Sequence, residues 1–266
     1  MNFQIIDQIG HTINIDSPPC RIISLVPSQT ELLAHLGLDK EVVGITKFCV
    51  HPDVWFHTKT RVGGTKNVDF HKIEQLNPDL IICNKEENKE SDVRALMEKY
   101  PVWTSDIHNL DDALNMINSV GEIADKTEEA KKIVHQIKRN FEELRHTKTE
   151  PIRVLYLIWQ NPYMAAGKDT FIDYMLSQCN FINACNASLG RYPELSAEQI
   201  KSLNPQLILL SSEPYPFKEK HVEELKAHYP DVLPVLVDGE YFSWYGSRLV
   251  NAPQYLKSVI ENCIKV

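Results

Sequence analysis

The chain has 266 residues, a net charge of −8 from 28 basic and 36 acidic side chains, and 43% hydrophobic residues. This composition is typical of a globular protein and excludes disordered, collagen-like and coiled-coil chains. The length fits two compact units of roughly 100–150 residues each. The acidic balance argues against nucleic acid as a partner, because binding phosphate needs a basic surface. No apolar run approaches the about 20 residues that a membrane-spanning helix needs.

The first residues carry no recognisable secretory signal. Residues 1–8 contain no basic segment, no long apolar core and no small-residue cleavage site. We therefore expect either a cytoplasmic protein or a chain whose leader is missing.

The first half of the chain alternates apolar strands with helices. Strands are predicted over residues 21–26 and 101–106, and the residues from Ser28 to Glu31 predict a helix capping box. Gly37 predicts the end of that helix. Continuous apolar strands between helices indicate a parallel sheet that is covered on both faces.

The second half repeats part of the first at an offset of 127 residues. Residues 72–86 and 199–213 share Leu-Asn-Pro-x-Leu-Ile, preceded by an Ile and followed by a Glu. Each copy predicts a short helix that stops before a proline, then a buried strand and a polar loop. Strands are also predicted over 153–158 and 234–238. The self-match therefore predicts two similar lobes.

A long helix is predicted between the lobes. Asp125 is the expected N-cap with Glu128 three residues on, and six apolar residues follow at helical spacing (Ala130, Ile133, Val134, Ile137, Phe141 and Leu144). The predicted organisation is an N-terminal α/β lobe (1–124), a bridging helix (125–148) and a C-terminal α/β lobe (149–266). The expected fold is α/β, with two Rossmann-like three-layer lobes whose sheets are mainly parallel.

Candidate binding segments follow the strands, because ligands in open α/β sheets bind beyond the carboxyl ends of the strands. With two lobes, those ends are expected to face each other across a cleft. The segments are 47–52, 63–67 and 84–88 in the first lobe, and 159–163, 190–194, 211–217 and 239–248 in the second. Aromatic residues are dense in the second set, which favours a ligand platform, with packing among the loops as the alternative.

Three other chemistries are weakly supported by the sequence. Cys49 and His51 share one face of an extended segment, so with His57 they suggest a metal site, or alone a thiol nucleophile with its base, but no further ligand pattern accompanies them. Gly63 to Lys66 lacks the phosphate-loop pattern and predicts a tight turn that points Thr65 and Lys66 into the cleft. Cys83 is expected to be a buried free thiol. We expect no catalytic residue, no protein-held metal and no intrinsic cofactor.

Several segments resemble a known family, namely the substrate-binding proteins of ABC importers for cobalamin and chelated iron, also called helical-backbone receptors. The resemblance is carried by residues 21–33, 42–46, 63–64 and 76–81 and by the linking helix. It implies the class III periplasmic-binding fold, a bulky ligand in the interlobe cleft and an ABC permease as partner. It further implies a monomer in the periplasm or at the cell surface.

The resemblance also implies site residues. Phe48, Thr65, Lys85, Met164, Tyr192, Glu240 and Trp244 match the pocket positions of cobalamin receptors, where Thr65 and Lys85 replace tryptophans. Lys66, Lys85, Arg191 and Arg248 suit an anionic ligand. With the strand-end loops, the predicted ligand-binding set is Phe48, Cys49, His51, Thr65, Lys66, Lys85, Glu86, Trp159, Tyr163, Met164, Arg191, Tyr192, Glu213, Tyr215, Glu240, Trp244, Tyr245 and Arg248. His71 and Glu198 match the positions that dock onto the transporter.

The predicted function is therefore the non-enzymatic binding of a bulky metal chelate, a corrinoid such as cobalamin or a ferric siderophore, for ABC-type import. The alternative is a cytoplasmic corrinoid- or metal-handling protein or enzyme of the same fold. The missing leader, the free cysteines and His71 in place of an acid favour this alternative.

Overall fold

A computed structural model of the chain describes residues 3–147 and 150–264. The strands are β1 (Phe3–Ile6), β2 (Thr12–Ile15), β3 (Ile22–Ser24), β4 (Val42–Ile45), β5 (Thr60–Arg61), β6 (Gly63–Gly64), β7 (Asn67–Val68), β8 (Leu80–Asn84), β9 (Val102–Ser105), β10 (Ile152–Trp159), β11 (Tyr163–Ala165), β12 (Phe181–Asn183), β13 (Glu194–Leu195), β14 (Leu207–Ser211) and β15 (Leu233–Val237). The helices are α1 (Pro27–His35), α2 (Asp53–Thr58), α3 (Phe70–Leu76), α4 (Glu90–Met97), α5 (Leu110–Ile123), α6 (Thr127–Arg145), α7 (Phe171–Gln178), α8 (Ala197–Leu203), α9 (Glu219–His228), α10 (Glu240–Ser243) and α11 (Ala252–Ile264). None of the helices in these ranges is both long and apolar enough to cross a bilayer.

The chain forms two compact units. The first unit comprises Met1–Gln136 together with Tyr245–Arg248, and the second comprises Ile137–Trp244 and Leu249–Val266. The short segment Tyr245–Arg248 therefore returns to the first unit. Within that unit, the Arg248 guanidinium donates to both carboxylate oxygens of Glu31 on α1, at 3.0 and 2.8 Å.

The first unit is built on a parallel sheet of five strands, in the order β5-β4-β3-β8-β9. Strands β3, β8 and β9 are buried at every position, because their continuous apolar runs are covered on both faces. Cys83 lies in β8 and is fully buried, as predicted. Two antiparallel hairpins, β1–β2 and β6–β7, accompany this sheet.

The second unit has a six-stranded mixed sheet. Its main order is β13-β11-β10-β14-β15, and β12 also pairs with β10. Strands β12, β14 and β15 run parallel within this sheet to the neighbour they pair with, whereas β11 and β13 are antiparallel additions. The prediction of mainly parallel sheets is therefore confirmed for both units.

The predicted repeat forms the same local structure in both units. Helix α3 leads into β8, and helix α8 leads into β14. Each helix ends at an asparagine in the left-handed conformation, Asn77 with φ 42° and Asn204 with φ 46°. A proline follows each asparagine, so the helix cannot continue and the chain turns into the strand.

The predicted capping box at the start of α1 is wrong. The helix begins at Pro27, its N-cap is Val26, and no side chain caps it. Ser28 is buried, and Glu31 pairs with Arg248 instead. Only the end of this helix agrees with the prediction, since Gly37 has φ 77°.

The long helix is shorter at its start than predicted. Helix α6 begins at Thr127 because Asp125 has φ 53°, which is incompatible with a right-handed helix. It ends at Arg145, and residue 148 lies outside the described residues. Its apolar residues face inward as predicted, with Ile133 partly exposed and the other five buried. The division of the chain at 124/125 and 148/149 stays a prediction.

Candidate ligand-binding site

Polar and aromatic side chains gather at the carboxyl ends of the parallel strands of each unit. We call the loops 46–52, 63–67 and 84–88 of the first unit loop cluster 1. We call the loops 159–163, 190–194, 211–217 and 239–244 of the second unit loop cluster 2. Each cluster is described by itself below.

Hydrogen bonds join the three loops of loop cluster 1. The Lys47 amide donates to the Gly63 carbonyl at 2.8 Å. The Asn88 side-chain amide donates to the Thr65 carbonyl at 3.0 Å, and the Lys66 ammonium donates to the Glu86 carbonyl at 2.6 Å. Thr65 and Lys66 form the turn of the β6–β7 hairpin, so the predicted tight turn is confirmed. These hydrogen bonds therefore hold the three loops together as one surface.

Phe48 is the exposed aromatic residue of loop cluster 1, with 50% of its surface accessible. The Lys47 ammonium lies 5.0 Å from the centroid of its ring. Gly64 supports the same ring from the hairpin, because a Cβ at that position would lie 3.2 Å from Phe48 Cε2 and 3.4 Å from Lys47 Cε. Lys47 begins the predicted binding segment 47–52 but is not among the individually predicted ligand-binding residues, although its place two residues after β4 was a usable signal.

Cys49 is a core residue. It is fully buried, and its Sγ lies 3.1 Å from the hydroxyls of Thr30 and Thr46. Burial raises the pKa of the Cys49 thiol, so the thiolate that a nucleophile needs is disfavoured. His51, on the same loop, is partly buried. Among residues 3–147 and 150–264, no three His, Cys, Asp or Glu side chains group closely enough to hold a metal ion.

The positive charge of Lys85 is balanced by the carboxylate of Asp106. Its ammonium lies 2.5 Å from one oxygen of Asp106, and His108 Nε2 lies 3.1 Å from the other. Glu86 is partly exposed, and its amide donates to Asn84 Oδ1 at 2.8 Å. Asp106 is not among the predicted site residues, although it ends the predicted strand 101–106 and so lies at the same sheet edge.

Trp159 provides an exposed aromatic ring in loop cluster 2. It is 41% accessible at the end of β10, and its ring meets Tyr215 edge to face at 5.5 Å. The Tyr215 hydroxyl donates to Gln160 at 3.0 Å, and its ring packs on the buried Phe217 at 4.8 Å. Tyr163 lies 3.5 Å from the Gln160 amide. Trp159 is therefore held by partners that connect it to the core.

Tyr192 is the second exposed aromatic ring of loop cluster 2, at 39% accessibility. The Arg191 guanidinium lies 5.8 Å from the centroid of its ring and donates to the Asp169 carbonyl at 3.0 Å. Met164 is partly buried on β11, where it pairs with Glu194 of β13. The short strand β13 therefore follows Tyr192 directly and fixes the base of this loop.

Glu213 forms a polar contact inside loop cluster 2. One of its carboxylate oxygens accepts hydrogen bonds from Ser243 Oγ at 2.6 Å and from Trp244 Nε1 at 2.9 Å. Burial raises the pKa of Glu213, and the negative charges of Glu240 and Asp238 act in the same direction. Trp244 is only 6% accessible, and its indole N–H is used by Glu213 of the same unit.

The remaining predicted residues lie outside the two clusters. Tyr245 and Arg248 belong to the first unit, where Tyr245 is buried and Arg248 is paired with Glu31. His71 and Glu198 are exposed in the first turns of α3 and α8, after the N-caps Asp69 and Ser196, as predicted. The role of all these residues in binding a ligand or a transporter stays a prediction.

Comparison with known proteins gives a consistent result. The model of the family "Periplasmic binding protein" matches residues 22–232. The vitamin B12-binding protein of Vibrio cholerae serotype O1 is 26% identical over 197 residues, which is 73% of this chain and 71% of that protein. An uncharacterised ABC transporter substrate-binding lipoprotein of Bacillus subtilis is 27% identical over 216 residues, 76% of this chain and 67% of that protein.

A solved structure shares the fold. The periplasmic heme-binding protein from Roseiflexus sp. RS-1 superposes with a TM-score of 0.79 at 22% identity, covering 91% of this chain and 98% of that chain. The predicted fold class is therefore confirmed. Since the family model spans well over half of the sequence, the chain belongs to the periplasmic binding protein family.

Proposed function

We propose that this chain is a substrate-binding protein that binds a bulky metal chelate and delivers it to an ABC importer. The family supports the binding role, and the B. subtilis relative supports the link to an ABC transporter. Relatives whose names state vitamin B12 or heme as ligand support a metal-bearing macrocycle as the class of cargo. The chelate is cargo and not a resident cofactor.

The observation that carries this proposal is the set of accessible aromatic rings in the two loop clusters. Phe48, Trp159 and Tyr192 are 50, 41 and 39% accessible, although large apolar side chains elsewhere are mostly buried. Each ring is backed by the contacts described above, so little conformational entropy would be lost when a ligand stacks on it. Flat macrocycles bind such rings by apolar burial, which contributes roughly 25 cal/mol per Å² of buried surface.

A binding role also agrees with the state of Cys49. Its buried thiol has a raised pKa and is committed to two threonine hydroxyls, which removes the nucleophile that an enzymatic alternative would use. We propose that the protein performs no chemistry on its ligand. We further propose that it works as a monomer in the periplasm or at the cell surface, with His71 and Glu198 facing the permease.

Calorimetric titration of the purified chain with cyanocobalamin, hemin, a ferric tris-catecholate and a ferric hydroxamate tests the proposal. We expect micromolar or tighter binding of at least one of them. Trp159→Ala should weaken that binding about 10-fold or more, because the exposed ring is the stacking surface.

Matched variants separate stacking from loss of structure. Ile182→Ala is the control for Trp159→Ala. Ile182 is similarly exposed in the second unit, but it pairs with Arg153 near the start of β10, whereas Trp159 lies at the end of that strand. Phe70→Ala on α3 is the corresponding control for Phe48→Ala. A folded chain that binds none of the four chelates would overturn the proposal.

A further inference from the structure

We propose that the ligand carries peripheral oxyanions and that Lys47 and Lys66 recognise them beside the ring of Phe48. This inference rests on the proposed function and specifies its substrate class. It selects anionic chelates, such as a porphyrin dicarboxylate or a ferric catecholate, over a corrinoid whose rim consists mainly of neutral amides.

Lys47 is an exposed cation whose side chain lies beside the Phe48 ring and Gly64. Its amide is fixed by the Gly63 carbonyl, and the end of its stem would contact a Cβ placed at Gly64. Its ammonium lies over the Phe48 ring, and within the described part of the chain no carboxylate comes within 4.0 Å of it. A ligand that stacks on this face of Phe48 displaces the ammonium toward the edge of the ring, where the ammonium can meet the ligand's rim.

Lys66 stands on the neighbouring loop. Its ammonium donates to the Glu86 carbonyl, which is a neutral partner and leaves its positive charge uncompensated. The backbone bond between Lys47 and Gly63 and the short β6–β7 turn bring both lysines into loop cluster 1. Two ammonium groups with neutral partners thus occupy the surface that also carries the exposed ring.

Two other cations of the first unit are paired with carboxylates. Lys85 and Arg248, which the sequence analysis assigned to an anionic ligand, are paired with Asp106 and Glu31. The structure therefore shifts the expected anion contacts away from these two residues. Lys47 takes a role that was predicted only for its segment, 47–52, and not for this residue.

The chemistry favours a charged rim. A carboxylate or catecholate oxygen forms a hydrogen bond with an ammonium in which both partners are ionised, so it gains a Coulomb attraction that a neutral amide oxygen lacks. The flat ligand covers one side of the pair, which reduces the screening by water that weakens ordinary surface ion pairs. A neutral amide gains little from the same position.

The test uses Lys47→Met and Lys66→Met, which keep the length of the side chain and remove its charge. Hemin, a ferric tris-catecholate and cyanocobalamin are the probes, each titrated at low and at high salt. We expect the wild type to bind one of the two anions more tightly than cyanocobalamin. Each variant should lose about 10-fold in affinity for that anion, with a weaker dependence on salt.

Two further variants control the measurement. Lys131→Met removes an exposed lysine of the first unit that pairs with Glu128 on α6, and it should leave affinity unchanged. Lys47→Arg should retain most of the binding, because it keeps the charge. Circular dichroism confirms that each variant is folded.

The outcomes are distinguishable. The inference is wrong if the wild type prefers cyanocobalamin, or if it binds an anion whose affinity neither Lys47→Met nor Lys66→Met alters. Either result leaves the proposed function standing, since a chelate is still bound. If the wild type binds none of the three probes, the inference fails. The proposed function fails with it only if the ferric hydroxamate is not bound either.

Discussion

The two copies of the repeat share their framework and differ in the side chains that the framework presents. Gly63 and Gly190, which are 127 residues apart, have φ 101° and 82°. Asn77 and Asn204 end α3 and α8 in the same left-handed conformation. Each unit therefore reuses a glycine with positive φ, the same helix end and the same buried strand.

An arginine near the start of one parallel strand, β3 in the first unit and β10 in the second, joins that strand to the repeated helix. Arg21 donates to the Leu76 carbonyl at the end of α3, and Arg153 donates to the Leu203 carbonyl at the end of α8. Asp79 accepts the Arg21 amide, and Gln206, at the equivalent position, accepts the Arg153 amide. These bonds satisfy the backbone carbonyls at the helix ends and the backbone amides of the arginines, which have no partner within the helix itself.

The side chains at the strand ends are where the copies differ. Lys85 in the first unit corresponds to Ser212 in the second, and Thr65 corresponds to Tyr192. Loop cluster 1 is consequently rich in ammonium groups and loop cluster 2 in aromatic rings. The repeat keeps the residues that fold each unit, while the side chains of the two loop clusters differ.

The largest expected effect tests whether the two glycine turns are equally constrained. Gly63→Ala should destabilise the protein by about 3 kcal/mol, and Gly190→Ala by about 1 kcal/mol. A Cβ at Gly63 would lie 2.5 Å from the Asn67 carbonyl oxygen, whereas at Gly190 it would meet nothing within 4 Å. Urea unfolding of both variants measures the difference, and equal losses would contradict this explanation.

The next comparison concerns the two arginines. Arg153→Ala should cost about 1–2 kcal/mol, because its partly buried guanidinium donates to the carbonyls of Leu203 and Ala184. Arg21→Ala should cost less than about 1 kcal/mol, since Arg21 is exposed and water can replace it at the helix end. Thermal unfolding of each variant provides the measurement. A larger loss of stability for Arg21→Ala than for Arg153→Ala would show that exposure does not control how much each arginine contributes to stability.

A smaller and equal pair of effects is expected at the helix ends. Asn77→Ala and Asn204→Ala should each cost about 1 kcal/mol, because alanine tolerates the left-handed region poorly. The corresponding glycine variants should be close to wild type, since glycine adopts that region freely. Unequal losses in chemical denaturation would break the equivalence of the two helix ends.

The smallest effect concerns the pH dependence of stability and contrasts Glu213 with Glu86 at the equivalent position. Because burial raises the folded-state pKa of Glu213, the folded protein holds this proton more tightly than the unfolded chain. Stability should therefore fall as pH rises from the unfolded pKa, about 4.3, through the folded pKa. Glu213→Gln removes this fall, and Glu86→Gln serves as the control. The free energy of unfolding is measured between about pH 4 and 7.5. The assignment is contradicted if the Glu213→Gln variant keeps the wild-type dependence of this free energy on pH.

Much of the fold could be predicted because its signals are local. Strands such as β8 and β14 are continuous apolar runs, and the Asn-Pro pair ends the preceding helix without help from distant residues. The starts of α1 and α6 could not be predicted in the same way. Ser28 is drawn into the interior, and Asp125 belongs to the turn that ends α5, where the Lys126 amide donates to the Gly121 carbonyl at 2.7 Å.

The candidate site was predictable only in part. The position of the loops follows in part from the parallel strands, so Phe48 and Trp159 lie at strand ends as predicted. Tyr192 does not follow a strand, because a short 3-10 helix (Ala187–Leu189) precedes its loop. The accessibility of these three aromatic residues, and the burial of Trp244 in a loop of similar composition, could not be read from residue type. An aromatic residue beside Pro or Gly is compatible with both outcomes.

The sequence by itself determined the duplicated framework, because apolar runs, helix ends and tight turns depend on residues within a few positions of each other. Only the tertiary structure decided which charges remain uncompensated. Lys85 finds Asp106 across 21 positions and Arg248 finds Glu31 across 217, whereas Lys47 and Lys66 find no carboxylate in the described part of the chain. Ion pairing joins side chains that folding brings together, so it leaves no signature at any fixed spacing.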